Sequence, residues 1–305
     1  MKEIVNKIIP FSSVDGPGNR TAIFLQGCNL NCKYCHNPET RGMCIQCGAC
    51  VEACPAGALS KVEQEGHIQI VFDPQKCVSC DTCLHVCPHD SSPRTALMSP
   101  EEVYEKVRRQ IPFIRGITVS GGECMLYPLF LEELFTLVRQ DGLGTLIDSN
   151  GTIDFSKYPG LLSVTDGVML DIKAFSGEEH KKITDFGNDT VLANARYLAE
   201  CGKLFEVRAV IVPDLYDTRT SVIQMGQYLA DCYRKHAFRI KLIAYRPMGV
   251  REEYSHFKIP SQAYLQELEG ELRKQGYEDI IIIERRRYRS WSELVIWTAI
   301  RWSSR

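Results

Sequence analysis

The chain predicts an α/β fold, a parallel sheet or open barrel of about six strands, with a cysteine-rich insert close behind the first strand. Three observations predict it. Short apolar runs alternate with amphipathic stretches through residues 96–284, the pattern of repeated β-α units. Residues 38–95 have a different texture, rich in Cys, Gly, Pro and polar residues, and carry one cysteine run twice, an internal duplication. The motifs that carry chemistry fall at strand ends, where parallel α/β folds place function.

Taken in order, residues 21–26 (Thr-Ala-Ile-Phe-Leu-Gln) predict a first strand running directly into a cysteine loop. After the insert, Ser99-Pro100-Glu101-Glu102 is a capping box with Pro at the first helical position, opening a helix that ends near Gln110. A strand at 117–120 and a helix from about Pro128 to Gly142 follow, then strands at 145–148 and 168–172. A helix from about Asp189 to Cys201 stops at Gly202. Next come a strand at 205–212, a helix at 220–235, a strand at 239–245 and a helix near 261–275. The apolar run 280–283 reads as one more buried strand.

The chain has 305 residues, 44% hydrophobic and 24% charged, with a net charge of −2. That is ordinary for a soluble globular protein and long enough for one large α/β domain with an insert. No global basic field argues for nucleic acid or an anionic membrane as partner. Met-Lys-Glu-Ile-Val is not followed by an apolar signal-peptide core, and no apolar run reaches the roughly 18 residues that span a bilayer. The expected compartment is a reducing, oxygen-free cytoplasm.

Eleven of the fourteen cysteines fall into three iron–sulfur spacings. Cys28, Cys32 and Cys35 form C-x3-C-x2-C. Cys44, Cys47, Cys50 and Cys54 form C-x2-C-x2-C-x3-C-P, and Cys77, Cys80, Cys83 and Cys87 repeat it. The repeated run is the bacterial ferredoxin pattern for four-iron clusters, in which the fourth cysteine of each run ligates the other cluster. Cys44, Cys47 and Cys50 are therefore paired with Cys87, and Cys77, Cys80 and Cys83 with Cys54. The first motif supplies three thiolates, so one iron of a four-iron cluster is left for a non-protein ligand. A disulfide scaffold fits neither the size nor the spacing. Zinc sites use pairs separated by long gaps rather than two runs of four closed by Cys-Pro.

Ser120-Gly121-Gly122-Glu123 ends the predicted second strand. Two glycines suit a bare turn or a close backbone approach to a ligand, and a carboxylate beside them suits an ammonium group. Cys124 follows, read as a small buried side chain rather than a ligand.

The Cys28 motif, with Tyr34 before its last cysteine, resembles the radical S-adenosylmethionine (SAM) superfamily, where three cysteines hold a [4Fe–4S] cluster whose open iron binds SAM. The resemblance implies reductive cleavage of SAM to a 5′-deoxyadenosyl radical, with Tyr34, Gly121, Gly122 and Glu123 at the SAM site. Further motifs narrow it: Asp15-Gly16-Pro17-Gly18-Asn19-Arg20, Cys35-His36-Asn37, the run 168–173 (Val-Met-Leu-Asp-Ile-Lys) and the run 207–213 (Val-Arg-Ala-Val-Ile-Val-Pro). Together they resemble the glycyl-radical-enzyme activating enzymes over residues 4–284. The start Lys-Ile-Ile-Pro-Phe-Ser-Ser plus the insert is most similar to the YjjW-type subgroup.

That resemblance implies an incomplete (β/α)6 barrel formed by residues 1–37 and 96–284, with a ferredoxin-like insert at 38–95 and a tail at 285–305. It implies that Asp15 and His36 meet the substrate glycine segment. Asp148, Ser149, Met169 and Asp171 would hold the methionine end of SAM and a monovalent cation, and Lys173 and Arg208 would meet SAM or the peptide. Arg246 stands where the family has a SAM-contacting histidine, a cation that does not titrate. The implied partners are a glycyl radical enzyme and a flavodoxin or ferredoxin-type reductant. The insert is read as an electron relay, with a structural or docking role as the alternative. A radical SAM enzyme acting on another peptide or small molecule is the rival function, and a plain electron-transfer protein the other. The basic, aromatic tail (Arg285 to Trp302) is read as solvated or partner-packing rather than as an RNA or membrane binder.

Overall fold

The computed structural model describes residues 1–64 and 66–284; the tail reading lies outside the described residues. Eleven strands are described: β1 (Glu3–Ser12), β2 (Arg20–Leu25), β3 (Leu59–Gln64), β4 (His67–Phe72), β5 (Ala96–Met98), β6 (Gly116–Gly121), β7 (Gly144–Ser149), β8 (Gly167–Asp171), β9 (Leu204–Ile211), β10 (Arg239–Ala244) and β11 (Ile280–Ile283). Nine of them form one mixed sheet in the order β11-β10-β9-β8-β7-β6-β2-β1-β5. The seven strands from β11 to β2 run parallel. β1 lies antiparallel between β2 and β5. The parallel set thus has one strand more than the six of the expected barrel, supplied by the isoleucine run of β11, and β1 and β5 extend it on the other side. The sheet has two edges and stays open.

The sequence pattern sorts the two faces. On one, Ile23, Ile117, Val119, Ile147, Val168, Leu170, Val207 and Leu242 pack with the apolar stripes of the helices into the main core. The helix Pro128–Gln140 shows how: it buries Phe130, Leu131, Leu134, Phe135 and Val138 at helical spacing. Successive strand residues point to opposite faces, so the alternate positions line the other face. The register places Asp148 beside Met169, Asp171 beside Arg208, and Arg208 beside Lys241. Polar and charged residues therefore meet on this second face of the sheet. The capping box at Ser99 forms as its sequence dictates, with the Glu102 backbone N–H on the Ser99 hydroxyl at 3.3 Å and the Ser99 N–H on the Glu102 carboxylate at 2.7 Å. Among the described residues no helix is long and apolar enough to cross a membrane.

The insert contains the antiparallel hairpin β3–β4, which the cysteine pattern did not reveal, and two four-residue helices, Ala49–Glu52 and Thr82–His85. Among the described residues its main buried cluster is Cys50, Leu59 and Cys83, with Val51, Ile70, Phe72 and Leu84 packed against it. Its two ends meet where the Gly42 N–H donates to the Asp90 carbonyl at 2.8 Å. A side chain at Gly42 would run into the His89 carbonyl. Asp90 also pairs with Arg41 and, at 3.7 Å, with Arg251.

Candidate active site

β2 delivers the first cysteine loop to the C-terminal edge of the sheet. The loop is fixed by its backbone: the Cys28 N–H donates to the Arg41 carbonyl at 2.9 Å, and the Asn31 and Lys33 N–H groups donate to Thr184 and Ile183, each at 3.0 Å. The Arg251 guanidinium donates to the Cys32 carbonyl at 3.2 Å. Burial pushes the Cys28 thiol up to about 11 and the Cys32 thiol up to about 12. Thiols held this way stay protonated unless a metal displaces the proton. The Leu30 N–H points at the Cys28 sulfur at 3.4 Å, and the Asn150 amide at 3.8 Å. Among the described residues no group of three or more His, Cys, Asp or Glu converges closely enough to hold a single metal ion.

Next to this loop lies a row of alternating charge on β7 to β10. Arg208 donates from Nη1 to Asp148 at 2.8 Å, from Nη2 to the Met169 sulfur at 2.8 Å and from Nε to Glu206 at 2.6 Å. Lys241 donates to the same Glu206 oxygen at 2.6 Å. Lys173 pairs with Asp171 at 2.5 Å, and its ammonium lies 6.0 Å from the centre of the Tyr34 ring. Burial opposes the Arg208 charge, yet Asp148, Asp171 and Glu206 outweigh it and raise its pKa. Burial likewise opposes the Lys173 charge, and Asp171 and Cys32 outweigh it. Sequence reasoning found Asp148, Met169, Asp171, Lys173 and Arg208 but missed Glu206, Lys241 and Asn150.

The Gly121-Gly122-Glu123 segment has an internal reason for its composition. A Cβ on Gly121 would lie 2.1 Å from the Leu25 carbonyl oxygen, and one on Gly122 2.1 Å from that of Gly27. The close approach is therefore to the chain's own backbone. Glu123 is 1% exposed and turns inward. Its carboxylate accepts from Ser149 Oγ at 2.8 Å, the Asn150 N–H at 2.6 Å and the Met125 N–H at 2.9 Å. Burial lifts its pKa to about 7. The Ser149 hydroxyl is thus directed at Glu123, and Asp148 and Met169 at Arg208. Cys124 is fully buried in the main core, as a small side chain would be.

The remaining predicted residues are more dispersed. Tyr34 is buried with Ala174, Ile183, Val212 and Tyr245, and its hydroxyl has no hydrogen-bond partner. His36 Nε2 lies 3.0 Å from the Arg246 carbonyl oxygen, whereas the Arg246 side chain is exposed. Asp15 lies in the turn between β1 and β2, against Thr118 of β6. Ser12 donates to its carboxylate, and Thr118 Oγ1 donates to its carbonyl at 2.5 Å. The buried Arg20 anchors that end by donating to the Ile117 and Gly144 carbonyls at 2.7 and 2.9 Å.

The insert gathers its cysteines into two pockets. One is lined by Cys44, Cys47, Cys50 and Cys87. The other is lined by Cys54, Cys77, Cys80 and Cys83. Each holds three cysteines of one run and the fourth of the other.

A buried three-cysteine loop at the edge of an open parallel sheet, beside a charged inner face, defines a class, and the family model for the radical SAM superfamily matches residues 22–223. A pyruvate formate-lyase-activating enzyme of Streptococcus mutans is 32% identical over 255 residues, 81% of this chain and 78% of the relative. An indoleacetate decarboxylase activating enzyme of Tractidigestivibacter scatoligenes is 30% identical over 310 residues, 92% of this chain and 98% of the relative. A structure of Streptococcus suis SuiB bound to its precursor peptide SuiA shares the fold, with a TM-score of 0.55 at 12% identity over 88% of this chain and 49% of that one. The chain belongs to the glycyl-radical-enzyme activating enzymes of the radical SAM superfamily.

Proposed function

We propose that this enzyme activates its partner glycyl radical enzyme with three [4Fe–4S] clusters, and that it is of the YjjW-type subgroup. Cys28, Cys32 and Cys35 would hold the radical-forming cluster, in a barrel of residues 1–37 and 96–284. The ferredoxin-like insert at 38–95 would hold the other two. When bound, the open cluster iron and SAM supply reductive cleavage and hydrogen abstraction from a glycine Cα, giving methionine, 5′-deoxyadenosine and a protein glycyl radical.

The chain's own residues orient and enclose. Lys173 and Arg208 offer cations to the SAM carboxylate, the geometry that suits a guanidinium best. Asp148, Ser149, Met169 and Asp171 offer oxygen and thioether donors to the methionine end and to a monovalent cation, a role that requires Arg208 to release Asp148 and Met169. Gly121, Gly122 and Glu123 hold the loop ends together beside the amino group, with Tyr34 packed behind the cluster loop. His36, held near the Arg246 backbone, and Asp15 would meet the incoming glycine segment, and Arg246 would stand in place of the family histidine toward SAM. A flavodoxin or ferredoxin-type reductant in a reducing cytoplasm would supply the electron through the insert.

The observation that carries the three-cluster reading is the pair of insert pockets, each completed by a cysteine from the other run. Anaerobic reconstitution followed by iron analysis tests it: three clusters predict about 12 Fe per chain. A value of about 4 Fe would leave only the Cys28 site and remove the insert from the proposal.

A further inference from the structure

We infer that Glu206 and Lys241 are positioning residues that hold Arg208 across the inner face of the sheet; the inference rests on the reading that Arg208 meets SAM. Glu206 is 0% exposed. One of its oxygens takes both Arg208 Nε and Lys241 Nζ, each at 2.6 Å. The other has no hydrogen-bond partner and lies 3.9 Å from the Arg239 guanidinium. A buried carboxylate is a costly way to stabilise a sheet, because well-packed apolar residues usually serve as well. What it provides here is direction. The guanidinium is a planar fork whose edges are distinct, and Glu206 takes the Nε edge from two residues back along β9. The two Nη groups are then left facing β7 and β8, where Asp148 and Met169 receive them. Without that hold, Arg208 would be free to turn between Asp148 and Asp171, both of which act on its charge. Lys241, on the neighbouring strand, donates to the same Glu206 oxygen and so holds the carboxylate that holds Arg208.

The test is a double-mutant cycle on equilibrium SAM binding to anaerobically reconstituted holoenzyme, with glycyl-radical yield as a second readout. Glu206→Gln keeps the shape and removes the charge. Arg208→Gln should weaken SAM binding about 30-fold and Glu206→Gln about 10-fold, while in the Arg208→Gln background Glu206→Gln should add less than about twofold. Additive losses would overturn the inference, because Glu206 would then act independently of Arg208. Wild-type affinity in Glu206→Gln would overturn it too. Wild-type affinity in Arg208→Gln would instead sink the reading of Arg208 itself and take the inference with it. Should Glu206→Gln fail to fold, Lys241→Met puts the same question with Glu206 in place, and must likewise lose its effect when Arg208 is absent.

Discussion

The Cys28 loop and the insert both present buried and half-buried cysteines, but they hold them by different means. The loop hangs from a sheet whose core residues, such as Ile23, Val119 and Ile147, are fully buried, and its backbone is bonded to Arg41, Ile183 and Thr184. The insert wraps four-residue helices and one hairpin around a small cluster centred on Cys50, Leu59 and Cys83, with Cys47 and Cys80 exposed. A region that small buries too little apolar surface to offset its own ordering. The sheet domain should therefore be a scaffold that receives what its cysteines bind, whereas the insert should be folded by what it binds.

The largest effect expected from this contrast is functional and local. Cys35→Ala should lower SAM cleavage by at least about 1,000-fold while the insert keeps about 8 of about 12 Fe. Loss of all the iron in that variant would show that the two regions are not independent.

Iron removal probes the same division through folding. In anaerobic chelator, hydrogen exchange should rise to the unprotected rate across residues 44–94 while the amides of β6 to β9 remain protected. Protection retained throughout the insert would mean that its small core suffices and that the contrast is wrong.

A smaller effect belongs to the barrel alone. The pKa of Glu123 is raised by burial from its ordinary 4.5 to about 7. The folded protein therefore holds an extra proton between those values. The associated stability is fully present below about 4.5 and is lost as pH rises through about 7. Between pH 5 and pH 8 the wild type should lose up to about 3 kcal/mol more than Glu123→Gln, read from denaturant melts. Parallel pH profiles for the two proteins would show that the carboxylate is solvated or paired after all.

How much of this was legible in the sequence follows from the physics of each signal. The cysteine spacings were legible because ligand geometry fixes spacing locally, and the cross-run pairing into two pockets was read from the duplication. The helices at 100–108 and 128–140 were legible because a capping box and a wide apolar stripe are local codes. β1 was not, because Pro10 and a broken burial pattern conceal an antiparallel strand; β5 is only three residues long. Glu206 and Lys241 were missed for a subtler reason. In runs such as Phe-Glu-Val-Arg-Ala-Val and Arg-Ile-Lys-Leu-Ile, alternation shows which residues leave the core, but not whether the face they join is solvent or the inside of a curved sheet. The charges of an inner face look like those of a surface until the topology is known. Glu123 was recognised as a functional position, but its inward turn depends on donors from residues 149 and 150, far along the chain.

The most direct test of the central claim is anaerobic EPR on the reduced holoenzyme mixed with SAM and the glycyl radical enzyme encoded nearest its gene. The account predicts a glycyl-radical doublet on the partner together with 5′-deoxyadenosine, both absent with Cys35→Ala. 5′-Deoxyadenosine without a doublet on any glycyl radical enzyme offered would contradict it, since the radical site would then be working on a different substrate.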